Sequence, residues 1–162
     1  MSAQALTASD DAPTPAATVE VESRALKLLA TREHSRLELE RKLAARGYQT
    51  DVIAAALDRL IAQGALDEAR LAEVYVSERA RKGFGPLRIR AELRDKGLSD
   101  AAIDPQLHAM NDAWPALLTQ AHDRRFGPAP PTDHADQGRR GRFLESRGFP
   151  AELIHRLLRR HD

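Results

Sequence analysis

The chain reads as an all-α protein of three tandem three-helix repeats, expected to pack as an elongated curved array. Three observations lead there: a helix-favouring composition, an apolar pattern that recurs about every fifty residues, and the same helix-stop device in each copy. Of 162 residues, 42% are apolar but only 4% are aromatic. Ala, Leu and Arg dominate, and these are good helix formers. The segments LERKLAARGYQTDVIAAAL, IRAELRDKGLSDAAIDPQL and RGRFLESRGFPAELIHRLL align on Gly47, Gly97 and Gly148. Leu43, Leu93 and Leu144 stand before these glycines. Ile53, Ile103, Ile154 and then Leu57, Leu107, Leu158 follow them.

The shared glycine has a mechanical meaning. A glycine closing an apolar-periodic run enters the left-handed region cheaply and stops the helix. The residue after it then meets the leucine one turn back, pairing Tyr48 with Leu43, Leu98 with Leu93, and Phe149 with Leu144. A row of repeats of this size, each too small for a robust core of its own, packs neighbour against neighbour.

Residues 1–22 hold two prolines and four acids (Asp10, Asp11, Glu20, Glu22) with no base, and read as a disordered acidic tail. Repeat one spans 23–66. Its first helix covers 23–32, its second opens on a capping box of Ser35 with Glu38, and its third has Thr50 as N-cap. Gly64 stops it. Repeat two spans 67–111. Asp67 caps a helix over 68–82 carrying Leu71, Val74, Tyr75 and Val76, Pro86 takes the first position of the next helix, and Ser99 caps the third. Pro105 inside that third helix is expected to kink it or delay its start. Repeat three spans 112–162, with Trp114 and Phe126 on its first helix as core residues. The proline-rich loop over 127–138 and Gly138 and Gly141 predict a late, frayed second helix. Arg140 stands there in the core position that Leu39 and Ile89 fill elsewhere, so this repeat is expected to be the least stable.

The 25 basic and 24 acidic residues nearly cancel, so only their distribution is informative. The second helices are basic: four bases against two acids in repeats one and two, and four against one in repeat three. The third helices of repeats one and two are acidic and Ala-rich, unlike the recognition helix of a helix-turn-helix transcription factor. A recurrent basic stripe suits phosphates or an acidic partner groove. The alternative is a solvated face of helix-spaced ion pairs such as Glu38 with Lys42, with Arg46, Lys96 and Arg147 drawn to helix C-termini by the dipole.

Catalytic constellations are not evident, and neither an enzyme activity nor a cofactor is expected. GFGP at 83–86 lacks the lysine and hydroxyl of a phosphate loop and reads as a turn that leaves Phe84 exposed to a partner. No serine has a hydrolase setting. The six histidines lack metal spacing; His122, Asp123 and His134 are a conceivable but disfavoured set. Absence of cysteine excludes disulfides and fits a reducing cytoplasm, and neither a secretory signal nor a membrane span is apparent.

The stretch GALDEARLAEVYVSERARKGFGPLRIRAELRDKGLSDAAI at 64–103 resembles the central signature of the RecX family of regulatory proteins. ALKLLATREHSRLELERKLAARGY at 25–48 and, more loosely, RFLESRGFPAELI at 142–154 resemble it too. Leu71 replaces the usual aromatic, and Glu68 the second acid. The resemblance implies a monomeric, cytoplasmic modulator of the recombinase RecA. It would bind the RecA–single-stranded DNA filament and inhibit the ATPase, recombinase and coprotease activities, with effects on DNA repair and the SOS response. Single- and double-stranded DNA are further candidate partners, and no membrane is implied. The expected contact surface is Arg81, Lys82, Arg88, Arg90, Arg94 and Lys96, then Arg139, Arg140 and Arg142. A general DNA binder acting independently of RecA is the alternative, and an adaptor touching only protein is a third reading.

Overall fold

The structure, a computed structural model, describes residues 12–161. Among these, the chain forms α-helices and one short 3-10 turn, with no strand: α1 (Pro15–Thr31), α2 (Arg36–Ala45), α3 (Thr50–Ala62), α4 (Glu68–Arg81), α5 (Pro86–Asp95), α6 (Asp100–His108), α7 (Trp114–Phe126), α8 (His134–Ser146), α9 (Ala151–Leu158) and the turn Arg159–His161. None of the described helices is long and apolar enough to cross a membrane. Two compact units result, the first ending at Leu66 and the second starting at Asp67.

The repeated glycine does what its spacing requires. Gly47, Gly97 and Gly148 have φ of 91°, 89° and 94°. Beyond each, the next N–H reaches back to the leucine carbonyl: Tyr48 to Leu43 at 3.4 Å, Leu98 to Leu93 at 3.1 Å and Phe149 to Leu144 at 3.2 Å. The glycine N–H bonds the following carbonyl at 2.9–3.0 Å. This is the two-bond Schellman ending, made three times. Leu43, Leu93 and Leu144 are fully buried behind it.

In the first unit, α1, α2 and α3 enclose Val21, Ala25, Leu39, Leu43, Ile53, Leu57 and Leu60. Ser35 and Glu38 form the expected capping box. Two expectations fail here. The N-terminal tail does not extend to residue 22: α1 begins at Pro15, capped by the Thr14 hydroxyl, and buries Thr18 and Val21. Pro15 sits in the first turn, where no N–H is needed, and Glu20 and Glu22 find partners in Tyr48 (3.0 Å) and Arg59 (2.8 Å). Residues 1–11, with Asp10 and Asp11, lie outside the described residues. Thr50 is not the N-cap of α3 either. Gln49 holds that place without a side-chain bond, and the Asp51 carboxylate accepts the Val52 N–H at 2.9 Å instead.

In the second unit, repeats two and three share one apolar core running from Leu71 to Leu158. Asp67, Pro86 and Ser99 start their helices as expected. Leu71 and Val76 are buried, Tyr75 is half-buried and Val74 is exposed. Pro105 does not delay α6, which begins at Asp100. Pro105 and Ala101 are both exposed, so the carbonyl losing its partner lies toward water.

The third repeat departs most from expectation. Asp133 caps α8 by accepting the Asp136 N–H at 2.8 Å, so the helix starts at His134 and the loop ends before 138. Gly138 and Gly141 are interior helical residues, and Gly141 lies under Ile154 and Leu158. Arg140 is only 6% exposed. Its stem fills the leucine position, while its guanidinium donates to Asp136 (2.9 Å) and the Ala129 carbonyl (2.7 Å) and meets His122 Nε2 at 3.2 Å. The arginine thereby ties the Pro-rich loop to both neighbouring helices.

A backbone junction joins repeats two and three. The Gly85 N–H donates to the Arg147 carbonyl at 2.7 Å and the Leu87 N–H to the Gly148 carbonyl at 3.0 Å. The start of α5 thus satisfies its orphan donors on the orphan carbonyls at the end of α8. Only glycine allows this approach: a Cβ on Gly85 would lie 2.5 Å from the Gly148 carbonyl carbon, and one on Gly148 2.5 Å from the Arg88 nitrogen.

Candidate functional site

The basic residues of the second unit separate into those already neutralised within the chain and those that are not. On α5, Arg88 pairs with Glu92 at 3.1 Å and also donates to the Ser146 carbonyl at 3.2 Å. Arg90 pairs with Asp104, and Arg94 with Asp100 at 2.9 Å. The acidic third helix therefore serves the basic second helix of its own repeat. Lys96 sits 5.4 Å from the Tyr75 ring and is half-buried. On α8, Arg139 and Arg140 share Asp136 at 2.6 and 2.9 Å. The Arg139 hydrogen bond comes first, then the Thr132 N–H and Arg140, in holding the Asp136 carboxyl down at about 2.

Arg140 must therefore be withdrawn from the expected contact surface, since its charge is buried and engaged. Arg81, Lys82 and Arg142 are exposed and make no ion pair among the described residues. The paired ones are not thereby excluded. Exposed ion pairs are worth about 0–1 kcal/mol, so an incoming phosphate can displace one at small cost.

Glu92 organises the middle of this surface. It accepts Arg79 at 2.7 and 2.9 Å, the Tyr75 hydroxyl, and Arg88. Burial pushes its carboxyl up, but the hydrogen bonds from Arg79, Tyr75 and Arg88 outweigh this and leave it below the ordinary value. Burial and the same carboxylate push the Tyr75 hydroxyl up to about 12. Both groups thus hold single charge states across the physiological range and act as fixed scaffolding.

Phe84 is not the free aromatic that its Gly-flanked turn suggests. It is half-buried against the core, with the guanidiniums of Arg79, Arg88 and Arg147 at 3.8, 4.6 and 4.7 Å from its ring centre. It positions arginines. Trp114 is buried, as expected, with its indole N–H toward the Leu107 carbonyl; Phe126 is half-buried and faced by Arg125, Arg139 and Arg140. His122 Nδ1 contacts Asp123 at 2.8 Å while Nε2 meets Arg140, so both nitrogens are engaged. Among the described residues no cluster of His, Asp and Glu suited to a metal ion occurs.

Sequence reasoning missed Arg124 and Arg125. They lie in the last turn of α7, outside the second helices in which charge was counted. With Lys82 and Arg147 they line a concavity of about 200 Å³ over Gly83, Ala121 and Phe143. The basic pair RR at 124–125 before Gly127 was the available signal.

Known proteins agree with this architecture. Residues 23–60 match the model of the RecX first three-helix domain, and residues 67–105 that of the second. The protein named Regulatory protein RecX from Pseudomonas savastanoi pv. phaseolicola is 47% identical over 140 residues, covering 86% of this chain and 90% of that protein. Its namesake from Halorhodospira halophila is 42% identical over 139 residues, 86% of each chain. The crystal structure of RecX from Lactobacillus salivarius shares the fold, with a TM-score of 0.76 over 91% of this chain and 97% of that one at 20% identity. With that identity sustained along nearly the whole sequence and the same tandem helical repeats beneath it, the chain belongs to the RecX family of regulatory proteins.

Proposed function

We propose that this protein binds the RecA filament on single-stranded DNA and lowers its ATPase, recombinase and coprotease activities. Family membership over nearly the full length carries this reading. The charge distribution supports it: basic second helices recur along the chain, and weak contacts from tandem modules to successive filament subunits add through multivalency. Arg81, Lys82, Arg88, Arg90, Arg94, Lys96, Arg139 and Arg142 are the proposed contact residues, in a cytoplasmic, monomeric protein that modulates DNA repair and the SOS response without catalysis of its own.

The test is the DNA-dependent ATPase rate of RecA already assembled on single-stranded DNA, with this protein added below one copy per RecA. The expected result is a clear fall. An unchanged rate at excess protein in low salt would overturn the reading. A general DNA binder is the second reading, favoured by the un-neutralised cations at Lys82, Arg124, Arg125 and Arg147. It predicts that inhibition follows DNA occupancy and vanishes when the DNA is in excess.

A further inference from the structure

We infer that the concavity between the ends of α4, α7 and α8 is a phosphate site for single-stranded nucleic acid, held by Lys82, Arg124, Arg125 and Arg147. Four observations carry it. First, all four cations line one depression with no carboxylate among its lining residues. Second, none of the four makes an ion pair among the described residues, in contrast to Arg88, Arg90, Arg94 and Arg139. An anion entering here displaces no internal partner.

Third, aromatic rings hold two of the guanidiniums in place. Arg147 lies 5.1 Å from the Phe143 ring centre and 4.7 Å from that of Phe84, and Arg125 lies 5.7 Å from Phe143 and 5.3 Å from Phe126. Phe126 in turn meets Phe143 edge-on at 5.4 Å. A ring contact fixes a guanidinium without satisfying its N–H donors, which stay available for phosphate oxygens. Fourth, the floor is made of small residues, Gly83 and Ala121, so a compact anion can sit deep.

Helix C-termini attract cations by themselves, and Lys82 and Arg147 are C-cap residues. That term is too small to consume the charge. Three helix ends amount to roughly one and a half negative charges, against four whole positive ones. The phosphodiester of a flexible single strand fits better than a duplex, because a depression of about 200 Å³ admits one projecting group and not a groove-wide surface. The inference rests on the proposed function only in taking nucleic acid as part of the partner.

The experiment measures binding of fluorescein-labelled oligo-dT to the isolated protein, without RecA, across a salt series. Lys82→Gln/Arg124→Gln is the main variant, since neither residue touches a ring and the fold should be kept. Arg125→Gln/Arg147→Gln is the second, with circular dichroism as the folding check, and Arg94→Gln is the control. The expected result is at least a tenfold loss for each pair, a log–log salt slope shallower by about 1.4, and little change for Arg94→Gln. Unchanged affinity and slope in the folded Lys82/Arg124 variant would overturn the site, as would binding lost only with Arg94→Gln. Absent oligonucleotide binding alongside intact inhibition of RecA would also overturn it, while leaving the filament reading standing. Loss of RecA inhibition in the paired variants without any oligonucleotide affinity would reassign the concavity to an acidic protein surface.

Discussion

His34 shows how one buried side chain makes the first unit sensitive to acid. It is fully buried, with Nδ1 3.0 Å from the Arg32 carbonyl and Nε2 3.0 Å from the Lys42 ammonium. Lysine only donates, so Nε2 accepts and the proton sits on Nδ1, leaving a neutral ring. Burial above all, with help from the Arg32 and Lys42 charges, lowers its pKa from 6.5. The unfolded chain therefore binds the proton more tightly. Stability is full above pH 6.5 and is lost as pH falls from there through the lower folded value. Urea unfolding of the first unit should show this loss, and His34→Gln should flatten it. The glycines give a second test. Gly47 and Gly148 have the same φ, but a Cβ on Gly47 meets nothing while one on Gly148 strikes the Arg88 backbone. Gly47→Ala should cost about 1–2 kcal/mol, the left-handed penalty alone. Gly148→Ala should cost clearly more in the same denaturation experiment. Equal losses would show that the α5–α8 junction relaxes freely.

At the scale of the element, helix starts were legible where a side chain caps locally and misplaced where it does not. Ser35, Asp67 and Ser99 were read correctly because their oxygens meet an N–H three residues on. Replacing Ser35 with alanine removes both halves of the capping box and should cost about 1 kcal/mol by urea denaturation. The early start of α1 escaped notice because its acids looked unpartnered; Tyr48 and Arg59, which satisfy them, come from elsewhere in the chain. Helix α8 escaped for a similar reason. Its glycines and Arg140 argue against a helix locally, and packing by Ile154 and Leu158 with the Asp136, Ala129 and His122 bonds overrides that. Arg140→Leu, which restores the repeat's usual residue, should leave global stability nearly unchanged, because a buried ion pair is rarely worth more than an apolar replacement. It should nevertheless raise amide hydrogen exchange over 127–133, where the loop loses its anchor. Unaltered exchange there would mean the loop is held by other contacts.

At the scale of the whole molecule, the two apolar cores define how damage spreads. Leu93 and Leu144 belong to one core although they stand in different repeats, and Leu43 belongs to the other. Each leucine-to-alanine change should cost about 2–5 kcal/mol. Leu144→Ala should weaken hydrogen-exchange protection in α5 as well as α8, while Leu43→Ala should weaken α2 and α3 and leave α8 unchanged. Protection lost throughout after Leu43→Ala would contradict this division. The sequence by itself determined the repeat, the three glycine stops, the buried leucines and isoleucines, and the family, because each is a local pattern with a fixed spacing. Only the tertiary structure decided which arginines are spent on Glu92, Asp104, Asp100 and Asp136, that Arg140 is buried, and that Lys82, Arg124, Arg125 and Arg147 converge without a carboxylate. Charge counted along a helix carries no information about the charges on the helix packed against it, and Coulomb energy depends on that distance in space rather than on position in the chain.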